Sequence, residues 1–168
     1  PTHTLSAGWG LTAATSHSPT HSLTDTPTGS YAAYTDARAV LAHPIDLMSA
    51  TKPVLSFWQR YSLGDYDYAY LEVSTDGGFN WKRVESYSGQ NLGWHEERVD
   101  LSEYKSTEFT ARFRLDAGSD SSVADGWYID DVCISGDGVP CQPPTAPTLS
   151  GGTTVNEGTT LSVVAHST

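Results

Sequence analysis

The chain has 168 residues, of which 20 are acidic and nine are basic, and its formal net charge is −11. This balance argues against binding to nucleic acid or to anionic membrane surfaces, and no apolar run approaches the roughly 20 residues that membrane insertion as a helix requires. The length suits one domain with a short extra segment. Because Pro1 is not an initiator residue and no signal peptide precedes it, we expect a fragment or mature piece of a longer protein.

The first 30 residues are rich in Ser, Thr, His and Pro, and residues 16–27 look like a strand that leads into a polar loop. Further along, apolar and β-branched runs are separated by Gly- and Asp-containing turns, which is typical of strands. Asp76-Gly77 predicts a two-residue hairpin turn. The predicted strands are 53–63, 68–74, 79–84, 94–101, 108–115 and 125–134.

The alternation of apolar and polar residues is clearest in the strand predicted at 108–115. Phe109, Ala111, Phe113 and Leu115 should face inward there. No segment shows helical periodicity over eleven or more residues. Many short strands at regular spacing predict an all-β fold, an antiparallel β-sandwich.

The last predicted strand contains two adjacent carboxylates, Asp130 and Asp131. Strand side chains alternate, so the two should point to opposite faces, and a buried one needs a partner. A salt bridge to Arg38, Arg60 or Arg112 is one solution. The excess of acids favours another, a hard cation such as calcium, which takes six to eight oxygen ligands.

Two other acidic residues lie in loops that could reach the same ion. Asp25 follows the N-terminal predicted strand, and Asp65 lies in the turn at 64–67. Asp25 could instead cap a turn through its own side chain. We therefore predict a structural calcium site with Asp25, Asp65, Asp130 and Asp131 as candidate ligands.

Cys133 and Cys141 are the two cysteines of the chain, and a short Gly- and Pro-containing segment separates them. They could form a local disulfide, or remain free thiols in a reducing compartment. Their closeness, together with the Thr-, Ser- and Gly-rich acidic surface and the scarcity of Lys, favours the disulfide and a secreted, extracellular protein.

Aromatic residues near one predicted hairpin offer a second kind of site. Tyr66, Tyr68, Trp58 and Trp94 could present rings for stacking on sugars, which would make a carbohydrate-binding surface. Strand aromatics more often fill a sandwich core. We therefore predict that Phe57, Trp81 and Trp127 lie in the core.

Catalytic motifs are scarce. The segment at 95–99 begins with His-Glu-Glu but lacks the second His of a zinc-protease helix, and neither a Gly-x-Ser-x-Gly elbow nor a phosphate-binding loop occurs. Surface acids could pair for glycoside hydrolysis, but solvated acids are the simpler interpretation. We expect no enzymatic activity from this chain.

The composition changes after Cys141. Residues 142–148 form a Pro-rich linker, and 149–168 resemble the first strands of a truncated immunoglobulin-like domain. The predicted main domain is 1–141. The longer protein should therefore be modular, with neighbouring domains of the same polypeptide as partners.

Several strings together resemble the MAM-like, immune-inhibitor-A-type accessory domains of secreted bacterial peptidases and other modular exoproteins. The resemblance covers about residues 9–135 and depends most on Val73-Ser-Thr-Asp-Gly-Gly-x-x-Trp81 and Gly126-Trp-Tyr-Ile-Asp-Asp-Val132. It implies a jelly-roll sandwich, similar to concanavalin and galactose-binding folds. It also implies a structural calcium between the N-terminal loop, where Asp25 lies, and the closing strand with Asp130 and Asp131. It implies no catalytic residues.

The sequence thus predicts a non-catalytic, calcium-stabilised accessory domain of a secreted multidomain bacterial protein such as a peptidase. Its role would be structural, adhesive or substrate-binding, with a glycan or protein as the possible ligand. The alternative is a carbohydrate-binding module that uses the exposed aromatic residues.

Overall fold

The computed structural model describes residues 8–118 and 121–136 and a strand at 162–164. Two sheets pack as an antiparallel β-sandwich of the jelly-roll class, which confirms the predicted fold class. Among the strands in the described residues, β10 alone pairs in parallel, with β9. The strands are β1 Gly10–Thr12, β2 Ser22–Thr24, β3 Asp36–Val40, β4 Val54–Ser62, β5 Tyr68–Ser74, β6 Lys82–Tyr87, β7 Gln90–Asp100, β8 Thr110–Asp116, β9 Gly126–Ser135 and β10 Ser162–Val164.

The larger sheet has the strand order β1-β2-β9-β4-β7, with β10 also paired to β9, and the smaller has the order β3-β8-β5-β6. A short 3-10 helix, Ser102–Tyr104, follows β7. The predicted linker at 142–148 lies outside the described residues. So does most of 149–168, and the division into domains stays a prediction.

Trp127 on β9 lies at the centre of the core between the sheets and is fully buried. Its ring contacts Phe113 of the smaller sheet, with centroids 5.4 Å apart, and Phe113 contacts Phe57 of the larger sheet at 5.1 Å. Edge-to-face pairs of this kind add stabilisation beyond burial alone. The predicted core positions Phe57 and Trp127 are confirmed.

The prediction was wrong for Trp81, which is half-buried beside the guanidinium of Arg112, 4.1 Å from its ring centroid. The predicted two-residue hairpin turn was also wrong, because β5 ends at Ser74 and β6 begins at Lys82. Asp76 stabilises the longer loop through local side-chain hydrogen bonds of the kind that Asp makes in turns. Its Oδ1 accepts hydrogen bonds from Ser74 Oγ at 2.6 Å and from the Asn80 amide at 2.9 Å.

A β-bulge interrupts the pairing of β4 with β9. Ser56 pairs with Cys133 and Trp58 with Asp130, so Asp131 and Val132 both lie opposite Phe57. Asp131 has a φ of 49°, in the left-handed region that Asp enters more readily than most residues. Bulges locally bend a strand and redirect its side chains, and this one determines the geometry of the acidic pair.

Candidate functional site

The bulge places both adjacent carboxylates against the same segment, the loop between β1 and β2. His17 contacts both, because its backbone amide donates to Asp130 Oδ2 at 2.8 Å and its Nδ1 lies 2.7 Å from Asp131 Oδ2. The expectation that strand alternation would point the pair to opposite faces was therefore wrong. The extra residue of the bulge breaks the two-residue period.

Asp130 ties this N-terminal loop to the last long strand. Its carboxylate accepts hydrogen bonds from the amides of His17, Ser18 and Asp131, the last two at 3.1 and 2.8 Å. Burial raises the pKa of Asp130, and these amide donors partly offset that effect because they favour the charged form. The anion is thus held by backbone donors.

The ring of His17 covers one of the predicted ligand-binding aromatics. It stacks on Trp58 with a centroid distance of 3.7 Å and an angle of 8° between the planes. Trp94 lies 6.2 Å from the same imidazole. Trp58 and Trp94, both half-buried, therefore belong to the same patch as the acidic pair, on the outer face of the larger sheet.

The predicted salt bridges to arginine do not supply the partners of the acidic pair. Arg112 pairs with Glu72, at 2.6 Å, and Arg38 pairs with Asp36. Arg60 donates to Thr15 Oγ1 and lies over the ring of Tyr128. Among the described residues, Asp131 Oδ1 is buried without a hydrogen-bond partner.

Asp25 forms a second buried carboxylate, beside the start of β9. It is 2% exposed, and its Oδ1 accepts a 2.6 Å hydrogen bond from the Trp127 amide. Its Oδ2 has no hydrogen-bond partner within the described part of the chain. Burial raises the pKa of Asp25 to about 7, and the nearby charge of Asp125 adds to the rise. Gly126 leaves room for this carboxylate, because a Cβ there would lie 2.6 Å from Asp25 Oδ1.

The four predicted metal ligands lie in three places. Asp25 lies beside Trp127, three residues along β9 from Asp130, which is about 10 Å at the usual strand rise. Asp65 is exposed in the loop between β4 and β5, where its amide donates to Ser122 Oγ. Within the described ranges, no group of three or more His, Cys, Asp and Glu side chains is arranged to hold a metal ion. Their role as ligands stays a prediction.

The two predicted tyrosines are not part of the tryptophan patch: Tyr66 lies in the loop between β4 and β5, and Tyr68 is the first residue of β5 in the smaller sheet. Tyr66 is 79% exposed, and Tyr68 is 38% exposed. The ring of Tyr68 lies parallel to that of Tyr70, at 5.8 Å and 4°. The predicted four-aromatic set is therefore divided: Trp58 and Trp94 lie on the larger sheet, Tyr68 lies on the smaller sheet, and Tyr66 lies in a loop.

Cys133 is buried on β9. Cys141 lies outside the described residues, so the predicted Cys133–Cys141 disulfide stays a prediction.

Sequence reasoning missed His17 as the residue that links the acidic pair to Trp58. His17 and Asp131 are 114 residues apart in the chain, and no local pattern predicts their contact.

Comparison with known families and proteins supports an interpretation as a module. Residues 24–135 match the model of the Reelin subrepeat B family. The chain is 37% identical over 110 residues to Bacillopeptidase F of Bacillus subtilis (strain 168), a match that covers 64% of this chain and 8% of that protein. The chain thus spans less than a tenth of this relative. The MAM-like resemblance is not tested by these matches and stays a prediction.

Two solved structures share the fold. The family 30 carbohydrate-binding module of the cellulosomal cellulase Cel9D-Cel44B of Clostridium thermocellum aligns with a TM-score of 0.54 and 11% identity, covering 82% of this chain and 87% of that one. TmCBM61 in complex with β-1,4-galactotriose aligns with a TM-score of 0.50 and 13% identity, covering 79% and 84%. At these identities the likeness concerns the fold.

Proposed function

The chain belongs to the Reelin subrepeat B family, and from this we propose that it is a non-catalytic accessory domain of a larger secreted bacterial protein, a peptidase. The observation that carries the proposal is the match to a segment that makes up 8% of Bacillopeptidase F. A module of this size within such a long chain serves the neighbouring domains of the same polypeptide. No helix in the described ranges is long and apolar enough to cross a bilayer.

A hydrolysis assay tests the non-catalytic part of this proposal. The purified chain should release no peptides from casein above a buffer control. Turnover that a single carboxylate substitution abolishes, for example Asp130→Asn, would instead make the chain a hydrolase and overturn the proposal.

We also propose that calcium stabilises the domain, with Asp25 as a carboxylate ligand. Asp25 fits a cation because its Oδ2 is buried without a hydrogen-bond partner among the described residues and its pKa is raised to about 7. A bound cation would supply the positive charge that an ionised buried carboxylate requires. Asp131 Oδ1 is a second buried oxygen without a hydrogen-bond partner in the described part of the chain, but it lies at the separate acidic pair and is not counted as a ligand of this ion. Backbone carbonyls of the surrounding loops would complete the set of six to eight oxygens.

A thermal melt in excess calcium and in EDTA tests this proposal. A ligand that binds only the folded state, at one hundred times its Kd, adds about 2.7 kcal/mol, which is several degrees for a domain of this size. The shift should disappear in Asp25→Asn and persist in Asp65→Asn, because Asp65 lies exposed elsewhere. Identical melts of the unmodified chain with and without calcium would contradict the proposal.

A carbohydrate-binding role is the second candidate, supported by Trp58 and Trp94 on one outer face. The shared fold with TmCBM61, solved with galactotriose, adds to this interpretation. The position of His17 weighs against it, because the imidazole already occupies a face of Trp58 at 3.7 Å. If Trp58 and Trp94 form a sugar site, His17→Ala should strengthen galactotriose binding and Trp94→Ala should weaken it. Absence of binding in both variants would exclude this candidate.

A further inference from the structure

The outer face of the smaller sheet collects arginines in an otherwise acidic protein. Four of the nine basic residues lie on it, together with three carboxylates, so these seven side chains sum to +1 while the chain carries −11. The charged residues that the strand register places on this face are Arg38, Arg83, Arg112, Arg114, Asp36, Glu72 and Asp116.

Two of these arginines lie directly opposite each other on neighbouring strands, where their positive charges repel. Arg38 on β3 pairs directly with Arg114 on β8, and like charges opposite each other destabilise a sheet. Asp36 offsets the repulsion, since it contacts both guanidinium groups, and the neighbouring arginines lower its pKa. With Asp36 between them, two arginines can occupy directly opposite positions on neighbouring strands.

The inner two arginines are already satisfied by carboxylates. Arg112 donates its Nε to Glu72 Oε2 at 2.7 Å. Arg114 donates to Asp36 at 2.8 Å and to Asp116 at 3.0 Å. These ion pairs hold the centre of the face rigid.

Arg83, at the β6 edge, has spare donors. Its contact with a carboxylate in the described part of the chain is 3.9 Å long, to Glu72 Oε1, which exceeds hydrogen-bond distance. Its guanidinium carbon lies over the ring of Tyr70, 3.3 Å from the centroid, and 47% of its side chain is exposed. A planar guanidinium fixed on a ring presents its fork of N–H groups in the geometry that a carboxylate binds with two hydrogen bonds.

The face also carries aromatic rings beside Arg83. Tyr68 and Tyr70 lie parallel on β5, and Tyr68 remains 38% exposed. Tyr70 contacts the Arg83 guanidinium, and the Tyr68 ring lies 5.8 Å from that of Tyr70, so a sugar whose carboxylate is on Arg83 can place a neighbouring ring against Tyr68.

We propose that this face binds a short acidic oligosaccharide, with a uronate carboxylate on Arg83 and a pyranose ring on Tyr68. A short ligand is required because the net charge of −11 opposes the approach of a long polyanion. The site is separate from the Trp58 and Trp94 patch and from the calcium proposal. It extends the proposed accessory role by giving the domain a ligand class.

Calorimetric titration in EDTA tests the inference with three probes: trigalacturonate, neutral galactotriose and triglutamate. Trigalacturonate should bind, and the two others should bind at least tenfold more weakly, because one lacks carboxylates and the other lacks sugar rings. Equal binding of triglutamate would reassign the face to acidic peptides. Equal binding of galactotriose would remove the role of the arginines. Either result, or no binding of trigalacturonate, overturns the proposal.

A matched pair of variants locates the site. Arg83→Gln should raise the Kd for trigalacturonate at least tenfold, and Arg83→Lys should restore only part of the affinity because it lacks the planar fork. Arg98→Gln is the control, since Arg98 is 54% exposed and paired with Glu96 on the other sheet. It should change the Kd less than twofold. An equal loss in both glutamine variants would indicate a general charge effect and overturn the assignment. If calcium stabilises the chain but trigalacturonate does not bind to it, the proposed function stands and this inference is wrong.

Discussion

Asp25 should make the stability of this domain depend on pH in the opposite direction to an ordinary paired carboxylate. Burial raises its folded-state pKa from 3.8 to about 7. Between these values the unfolded chain has lost the proton and the folded chain retains it. The unfolded state therefore binds fewer protons, and the free energy of unfolding falls as pH rises from about 4 to 7, then levels off.

The magnitude follows from the size of the shift. Each pKa unit corresponds to about 1.4 kcal/mol, so a shift of about three units is worth at most about 4 kcal/mol across this window. Asp25→Asn removes the titration. The amide oxygen can still accept the hydrogen bond from the Trp127 amide, which Asp25 Oδ1 accepts at 2.6 Å. Between pH 4 and pH 8, the free energy of unfolding of the variant should therefore fall by several kcal/mol less than that of the unmodified chain.

Urea unfolding in EDTA, followed by tryptophan fluorescence, measures the free energy of unfolding of the variant and of the unmodified chain. Asp46→Asn is the control, because Asp46 is exposed and its carboxylate accepts the Met48 amide. The pH profile of its free energy of unfolding should match that of the unmodified chain. Parallel pH profiles for the Asp25→Asn variant and the unmodified chain would refute the assignment of the titration to Asp25.

Three further substitutions test the packing around β9. Gly126→Ala should destabilise the fold by more than about 2 kcal/mol in urea unfolding, because it combines a φ of 102° with a Cβ 2.6 Å from a buried oxygen. Gly89→Ala, with a φ of 68° and nothing within 4 Å, should cost less, and equal costs would contradict this. Gln59→Leu should cost about 1–3 kcal/mol, since it leaves Trp127 Nε1 without its 2.7 Å acceptor. An unchanged free energy of unfolding would show that the indole finds another partner. Asp130→Ala should speed hydrogen exchange at the backbone amides of His17 and Ser18, which donate hydrogen bonds to the Asp130 carboxylate. Unchanged protection would mean that other contacts hold the loop.

The sequence alone predicted the fold class and part of the core, because strand alternation is a local property. Phe109, Ala111, Phe113 and Leu115 are buried as their spacing required. The closing strand was predicted at 125–134 and is observed at Gly126–Ser135. A side chain's face follows from its neighbours in the same strand, so no knowledge of pairing is needed.

The short strand Asp36–Val40 was not predicted, and it contributes Asp36 and Arg38 to the arginine-rich face. Its two central alanines, Ala37 and Ala39, face the core, and Ala has weak β-propensity. Only its pairing with β8 makes this segment a strand.

The candidate sites depended on the tertiary structure for a physical reason. The bulge at Asp131 arises from the register between β4 and β9, and it turned an expected two-faced acidic pair into one cluster on His17. His17, Trp58 and Asp131 meet across separations of up to 114 residues. The sequence determined which side chains each strand would bury. Strand pairing over long separations decided which of the exposed and charged ones lie together.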